Sequence, residues 1–299
     1  MDQPMHPSAD VPASVIVVSH NEGERLGQTV AALTRTLPPP AELIVVDDHS
    51  TDGSTAVLAG CPQVGLIRPP RRLGVAGSRN FGARAARGQV LVFSDAHVTP
   101  DPGWLAPLRA AIMAGGAAAA APGIRPMGPG VPGYGFTWRE PTLDTAWLRH
   151  RPSGNAAVPM LCGCFVAVRH ELFRSIGGFD EGLQTWGLED AELSLRLWRM
   201  GHRCVVVPAA QVRHLFRPCF PYQVDWHTTL YNVVRLAVVH FGEQALGRVL
   251  GRYAANPALP SAYARVADSD VWARREAVSA ACRRDAEWFF RRFGIGALR

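Results

Sequence analysis

The sequence predicts an α/β protein built on a mostly parallel sheet flanked by helices, and three observations carry that prediction. Short β-branched runs alternate with segments of helical spacing in the first part of the chain. Polar residues collect where those runs end, at His20, Asp47, Asp48, Asp95 and His97. A helical tail after about residue 220 then forms a C-terminal appendage.

Each element has its own signal. "SVIVVSH" (14–20) has the length and β-branching of a buried strand. "ERLGQTVAALTRTL" puts Leu26, Val30 and Leu33 on one helical face, and "PPP" at 38–40 stops it. "ELIVVDDHS" (42–50) reads as a second strand, with "TDGS" turning into a short helix. "VGLIR" (64–68) is a third strand, "VAGSRNFGARAARG" a helix stopped by Gly88, "VLVF" (90–93) a fourth strand and "WLAPLRAAIMA" a helix. Strands alternating with helices imply a parallel sheet covered on both faces. Ligands of such sheets bind beyond the carboxyl ends of the strands.

Between residues 122 and 160 the pattern breaks into "PGIRPMGPGVPGYGFTWREP", rich in Gly, Pro and aromatics. A connection of that length in a compact domain is usually functional or mobile. Regularity returns with "CGCFVAVRHELF" (strand, then helix), "EDAELSLRLWRMG" (helix) and "CVVVP" (strand). "VDWHTTLYNVVRLAVVHFG" and "DVWARREAVSAACRRDAEWFFRRFG" are helical. The expected organisation is a disordered lead-in over 1–12, a main domain over 13–222 and a helical extension over 223–299.

With 47% hydrophobic and 19% charged residues, the composition is that of a soluble globular chain. No apolar run is long enough for a transmembrane segment. "MDQPMHPSADVP" lacks the basic and apolar regions of a signal peptide, so a cytoplasmic protein is expected. The net charge is +6, yet all 31 basic residues are Arg. That excess reads as coding bias, and no nucleic acid is expected as a partner. Guanidinium groups do suit phosphates, whereas the lack of Lys excludes a Schiff-base or P-loop lysine. The six cysteines form no CxxC, and reduced structural thiols are expected; "CGC" (162–164) reads as alternating along a strand.

Asp95 and His97, two apart in extended backbone, share a face at the end of a central strand. A carboxylate and an imidazole there can hold a divalent cation, and His214 in "QVRHLFR" is a candidate third ligand. The mixed oxygen and nitrogen donors favour Mn²⁺, with Mg²⁺ as the alternative. Asp48 can accept from a base or ribose, or cap a helix. Arg72 and Arg79, with Arg71, lie among glycines that let backbone approach an anion, or form a solvated basic loop. Glu189 and Asp190 open a helix whose core stripe is Leu193, Leu197 and Met200, while Glu192 and Arg196 form an i,i+4 pair that needs no function. The two leading acids suit recognition of sugar hydroxyls or general-base work.

"VVSHNEGERLGQTVAAL", "LIVVDDHSTDGS", "LGVAGSRNFGARAARGQVLVFSDAHVTPDPGWL" and "GGFDEGLQTWGLEDAELSLRLWRMG" together resemble family 2 glycosyltransferases of the GT-A fold, over roughly residues 14 to 235. D-x-H in "SDAHV", "HLFRPCFPY" (214–222), "HNE", "W-G-x-E" and "GYGFTW" are similar to the polypeptide N-acetylgalactosaminyltransferase catalytic domain. The resemblance implies a Rossmann-like, mixed but mostly parallel sheet. It further implies Asp95, His97 and His214 on Mn²⁺; His20, Asp48 and Arg72 on the uridine and its neighbours; Trp186 and Glu189 on the donor sugar; and Arg217 and Tyr222 on a segment closing over the diphosphate. Arg79 joins the donor-binding set, and Asp190 with Glu189 the catalytic one. Where that subgroup has Asn after the Glu, this chain has Asp190, as inverting family 2 enzymes do, so the stereochemical outcome stays open.

The expected function is transfer of a hexose or N-acetylhexosamine from a nucleotide diphosphate, expected to be UDP, to a hydroxyl of a peptide, a glycan or a small natural product. Two alternatives stand beside it. One is a non-catalytic nucleotide-sugar-binding subunit. The other is a sugar-phosphate nucleotidyltransferase, which would want a Gly-rich phosphate loop and a lysine where "SHNEGE" stands.

Overall fold

The computed structural model describes residues 12–217 and 226–299. The expected lead-in, except for residue 12, and Tyr222 lie outside the described residues. The chain begins with β1 (Ala13–Ser19), α1 (Glu24–Thr36), β2 (Glu42–Asp47), a 3₁₀ turn over Ser54–Gly60 and β3 (Val64–Ile67). It continues through α2 (Gly74–Ala85), β4 (Val90–Asp95), β5 (Val98–Pro100), α3 (Leu105–Met113) and β6 (Ala119–Pro126). The irregular stretch holds β7 (Phe136–Trp138), β8 (Thr145–Trp147) and β9 (Ala156–Ala157). Then come β10 (Phe165–Arg169), α4 (His170–Ser175), α5 (Glu189–Arg199) and β11 (Cys204–His214). Five helices close the chain: α6 (Trp226–His240), α7 (Glu243–Arg252), α8 (Leu259–Ala267), α9 (Val271–Ala281) and α10 (Ala286–Phe293).

The main sheet has the order β3-β2-β1-β4-β10-β6-β11-β5, with β9 also on β11. β3, β2, β1 and β4 are parallel neighbours, β6 is parallel to β11, and β10 and β5 run against their partners. The expected mixed, mostly parallel sheet is therefore present. Alternation along each strand sorts the core into two layers. Ile16, Val46, Phe93 and Val168 face the layer that receives α2, α5, α6 and α10, and Val15, Val17, Val92 and Phe165 face the layer of α1 and α3. Phe93 anchors the first layer, its ring 5.0 Å from those of both Phe173 and Phe179. α2 lies so close on β1 that a Cβ at Gly82 would sit 2.5 Å from Ile16 Cγ2.

Three boundaries differ from the sequence expectation. β11 runs on to His214 rather than ending at Pro208, because the register shifts between Val207 and Gln211 and so accommodates the proline. "CGC" is a turn, and β10 starts only at Phe165. The last helical stretch splits into α9 and α10, where Asp285 caps the new helix by accepting from the Trp288 N–H at 2.6 Å.

α5 is buried on nearly every side. Its Glu192–Arg196 pair, read from the sequence as an i,i+4 pair that needs no function, is fully buried at 2.8 Å. α6 covers it. His240 Nε2 lies 3.1 Å from Glu192 Oε1, and Arg274 of α9 lies 3.6 Å from the same oxygen. Nearby, Arg235 of α6 pairs with Asp180 at 2.8 Å and with Asp270 at 2.7 Å. Arg196 also donates to the carbonyls of Ile176 and Gly178. Removing one partner of a buried pair leaves an uncompensated charge. Arg196→Ala should therefore cost about 3–5 kcal/mol in denaturant unfolding. Arg84→Ala, which loses an exposed contact to Glu181, should cost no more than about 1 kcal/mol.

Candidate active site

The carboxyl ends of β1, β2 and β4 open into a pocket of about 540 Å³. Its wall carries His20, Asp48, Arg72, Arg79, Asp95, His97, Trp186, Glu189, Asp190, His214 and Arg217. Every residue given a site role by the resemblance thus lines one cavity, apart from Tyr222, which lies outside the described residues; Arg71, grouped with Arg72 and Arg79 from the sequence, is not in its wall.

Asp95 is the last residue of β4, and the chain then bends at Ala96 and His97 before β5. β5 pairs antiparallel with β11 so that Val98 faces His214. This pairing carries His214 across 119 positions of sequence to within 3.3 Å of Asp95 Oδ2. His97 Nε2 is 3.9 Å from the same oxygen. One ligand atom from each of Asp95, His97 and His214 lies within 4.8 Å of the others. The two imidazole rings are 4.8 Å apart and tilted by 51°. Glu22 accepts from His97 Nδ1 at 3.2 Å, which leaves Nε2 for the cluster. His214 Nδ1 is buried with no hydrogen-bond partner. Burial alone would raise the Asp95 carboxyl, but the His214 hydrogen bond and the charges of His97 and Arg79 outweigh it and hold the group well below the usual carboxylate range. An ionised carboxylate and two imidazoles, one steadied by a carboxylate behind it, fit a divalent cation.

Arg79, from α2, is 2% exposed and joins three parts of the wall. It donates to Glu189 Oε1 at 3.0 Å, Asp95 Oδ1 at 3.2 Å and the Gly163 carbonyl at 2.7 Å. Burial disfavours its charge, yet Glu189, Asp95 and Asp190 around it raise its pKa on balance. Asp48 accepts from the N–H groups of Leu73 and Gly74 at 2.7 and 2.9 Å, fixing the start of α2, with Arg72 Nε 4.0 Å away. His20 Nδ1 meets the Asp48 carbonyl at 2.7 Å. Asp47 instead accepts from the Ser50 N–H at 2.8 Å, so the two adjacent carboxylates divide their tasks.

Trp186 is 37% exposed, on a loop where Thr185 and Leu188 have φ of 53° and 71°. Such values in non-glycine residues store strain that surrounding contacts must offset. The contacts come from Asn232 of α6, which is fully buried. Its side chain accepts from the Gln184 N–H at 2.8 Å and donates to the carbonyls of Gln184, Trp186 and Gly187 at 2.9 to 3.1 Å. The loop also closes on α2, since the Val75 N–H donates to the Thr185 carbonyl at 2.9 Å. Gly74, with φ of +74°, leaves room for that approach; a Cβ there would lie 2.9 Å from the same oxygen.

Several wall residues escaped the sequence reading. Glu22 was visible in "HNE", but its contacts to His97 and Arg217 depend on the far ends of other strands. Thr142, Asp144 and Trp147 come from the irregular stretch, and Tyr253 from the turn just after α7, where its hydroxyl donates to the Thr142 carbonyl at 2.8 Å. The aromatic content of that stretch was its one signal.

Asp190 Oδ2 accepts from the Gly163 N–H at 2.7 Å and Oδ1 from the Ala191 N–H at 2.7 Å. Burial and the neighbouring Glu189 charge nonetheless push it up to about 7. A carboxyl raised on folding holds its proton better in the native state, so the protein loses stability as pH rises from about 4 to about 7. Asp190→Asn should remove that loss. In thermal melts the Tm of the variant relative to the unaltered protein should be more favourable at pH 8 than at pH 5.

Comparison with known proteins places this arrangement. Residues 14–177 match the sequence profile of glycosyl transferase family 2, and residues 151–218 that of the N-terminal domain of galactosyltransferase. The chain is 34% identical to N-acetylgalactosaminyltransferase 6 of Drosophila melanogaster over 226 residues, 68% of this chain and 34% of that one. It is 30% identical to polypeptide N-acetylgalactosaminyltransferase 10 of Rattus norvegicus over 256 residues, 78% of this chain and 42% of that one. It thus spans less than half the length of these relatives. The crystal structure of GalNAc-T7 with UDP, GalNAc and Mn²⁺ superposes with a TM-score of 0.77 at 26% identity, covering 96% of this chain and 57% of that one. Staphylococcal TarS in complex with UDP-GlcNAc shares the fold, with a TM-score of 0.63 at 18% identity over 91% of this chain and 88% of that one. A family profile matched over more than half of the residues establishes that the chain belongs to glycosyl transferase family 2.

Proposed function

We propose that this chain is a divalent-metal-dependent glycosyltransferase that takes a sugar from a UDP-linked donor. The observation that carries the reading is the convergence of Asp95, His97 and His214 on the wall that also holds Asp48, Arg72 and Glu189. The donor set, one carboxylate and two imidazoles, suits Mn²⁺ better than Mg²⁺. Bound there, the cation would supply a Lewis acid to the diphosphate oxygens. Mn²⁺ and UDP accompany the related GalNAc-T7 structure, which supports the same choice here.

The chain's own residues do the rest. His20, Asp48 and Arg72 receive the nucleoside end, and Arg217 reaches the pocket from the segment after β11. Arg79 and Glu189 present a cation and a carboxylate to the sugar, and Trp186 offers a ring for its apolar face. N-acetylgalactosamine, the sugar named in the relatives, is the first donor to test. The aromatic wall with Thr142 and Tyr253 receives the acceptor, and a peptide hydroxyl is the first acceptor on the same grounds. Residues 13–222 form the transfer unit, and 223–299 brace it. The five described cysteines are free, in keeping with a reducing cytoplasmic setting.

Asp190 has one geometry and two uses. As a base it would invert the anomeric centre and impose an acid limb on the rate near its raised pKa. As a holder of the Gly163 turn it would leave the product with the donor's anomeric configuration. Both of its oxygens already accept backbone N–H groups, which favours the holding role.

Asp95→Ala and His97→Ala should each abolish transfer and weaken Mn²⁺ binding by isothermal titration; full turnover of either variant in EDTA would refute the metal reading. UDP-GalNAc at 100 times its Kd, with Mn²⁺, should stabilise the protein by about 2.7 kcal/mol. Released nucleotide should be UDP, and pyrophosphate release would point to a nucleotidyltransferase. The anomeric proton coupling of the product should show the donor's α configuration retained, and a β product would restore Asp190 as base.

A further inference from the structure

Cys162 and Cys164 stand in the wall of the pocket, and nothing in the transfer reaction uses them. Their sulfurs are 3.2 Å apart. The turn at 163–164 is responsible, since it draws together two side chains that a strand would have held farther apart on the same face. We propose that the two cysteines form an oxidation site, which a hydroperoxide closes to an intrachain disulfide, and that closure weakens ligand binding in the pocket.

The two thiols are unequal in a way that sets the order of events. Cys162 is half-buried and reachable by a small oxidant, whereas Cys164 is 6% exposed and packs in the core. The Cys162 sulfur attacks the peroxide: an S–O bond forms, the O–O bond breaks, and water leaves with the thiol proton. The Cys164 sulfur then displaces the hydroxyl from that sulfenic acid. The S–S bond forms, the S–O bond breaks, and a second water departs. Two thiols have lost two electrons and two protons, and hydrogen peroxide has become two waters. Among the described residues, the other cysteines are Cys61, Cys204 and Cys282, and no sulfur–sulfur contact joins them.

The tripeptide cannot close without disturbing the site. The sulfurs must approach from 3.2 Å to about 2.05 Å. Its backbone holds three wall residues directly. The Cys164 carbonyl accepts from the Asp95 N–H at 2.9 Å, the Gly163 carbonyl accepts from Arg79, and the Gly163 N–H donates to Asp190. There is no slack around the turn, since a Cβ on Gly163 would sit 2.8 Å from Asp190 Cβ and 3.1 Å from Arg79 Nη1. Movement of the turn therefore passes to Asp95 and Arg79. The oxidation chemistry stands on the sulfur geometry alone, while its effect on binding rests on the reading of this pocket as the donor site.

The test uses the reduced full chain treated with hydrogen peroxide, then alkylated and mapped by mass spectrometry. The expected product is a peptide spanning 162–164 that lacks two hydrogens and takes up no alkylating agent at either cysteine. Mn²⁺ binding followed by electron paramagnetic resonance should weaken about 10-fold, with UDP binding as a second readout, and dithiothreitol should reverse both changes. Cys162→Ser should give no bridged peptide, and peroxide should not weaken Mn²⁺ binding to it. Free or separately over-oxidised thiols at 162 and 164 would overturn the bridge. A bridge that leaves both Mn²⁺ and UDP binding unchanged would overturn the coupling. A reduced protein that binds neither probe would instead refute the donor-site reading and the coupling with it, while the mass spectrum still decides the bridge.

Discussion

One buried guanidinium organises the site. Arg79 rises from α2 and joins the end of β4, the start of α5 and the turn before β10. Its charge is buried, which is tolerable only because two carboxylates and a carbonyl surround it. The same contacts fix where Asp95 and Glu189 stand beside the metal-ligand cluster. The position of both carboxylates is in this sense one property, set by a residue that the sequence showed in an Arg- and Gly-rich stretch.

The parallel half of the sheet was legible because each of its strands is a short apolar run with its polar ending attached. Asp48, Asp95 and His97 could be named from position alone. His214 could be offered as a third ligand from its place after the last expected strand, but its meeting with Asp95 could not be read. It reaches Asp95 through the antiparallel pairing of β5 with β11, and no local periodicity records which distant strands will pair. The resemblance to known transferases added the support that position lacked. Glu22 and Tyr253 were hidden for the same reason, since their contacts are made by other elements' ends.

Local misreadings had local causes. "CGC" alternates as a strand does, but the paired sulfurs and the Gly163 contacts belong to a turn. Pro208 looked like a strand terminus, and the register shift beside it carried the strand on. Glu192 and Arg196 read as no more than an i,i+4 pair because they lie off the apolar stripe of α5. α6 and α9 cover that face with His240 and Arg274, so an ion pair that needs no function becomes a buried structural link. A helical wheel sees one helix, and the second face of α5 is decided by elements more than thirty residues downstream.

The loop bearing Trp186 is held from behind by the amide of Asn232, which stands outside the cavity wall but bonds to the backbone of two residues in it. The loop's placement thus depends on scaffolding, as a tool's angle depends on its handle. Exchanges at or beside that helix position can shift the loop while leaving every side chain in the cavity wall as it was. Such a change would pass silently, without a trace in the motifs by which such proteins are recognised.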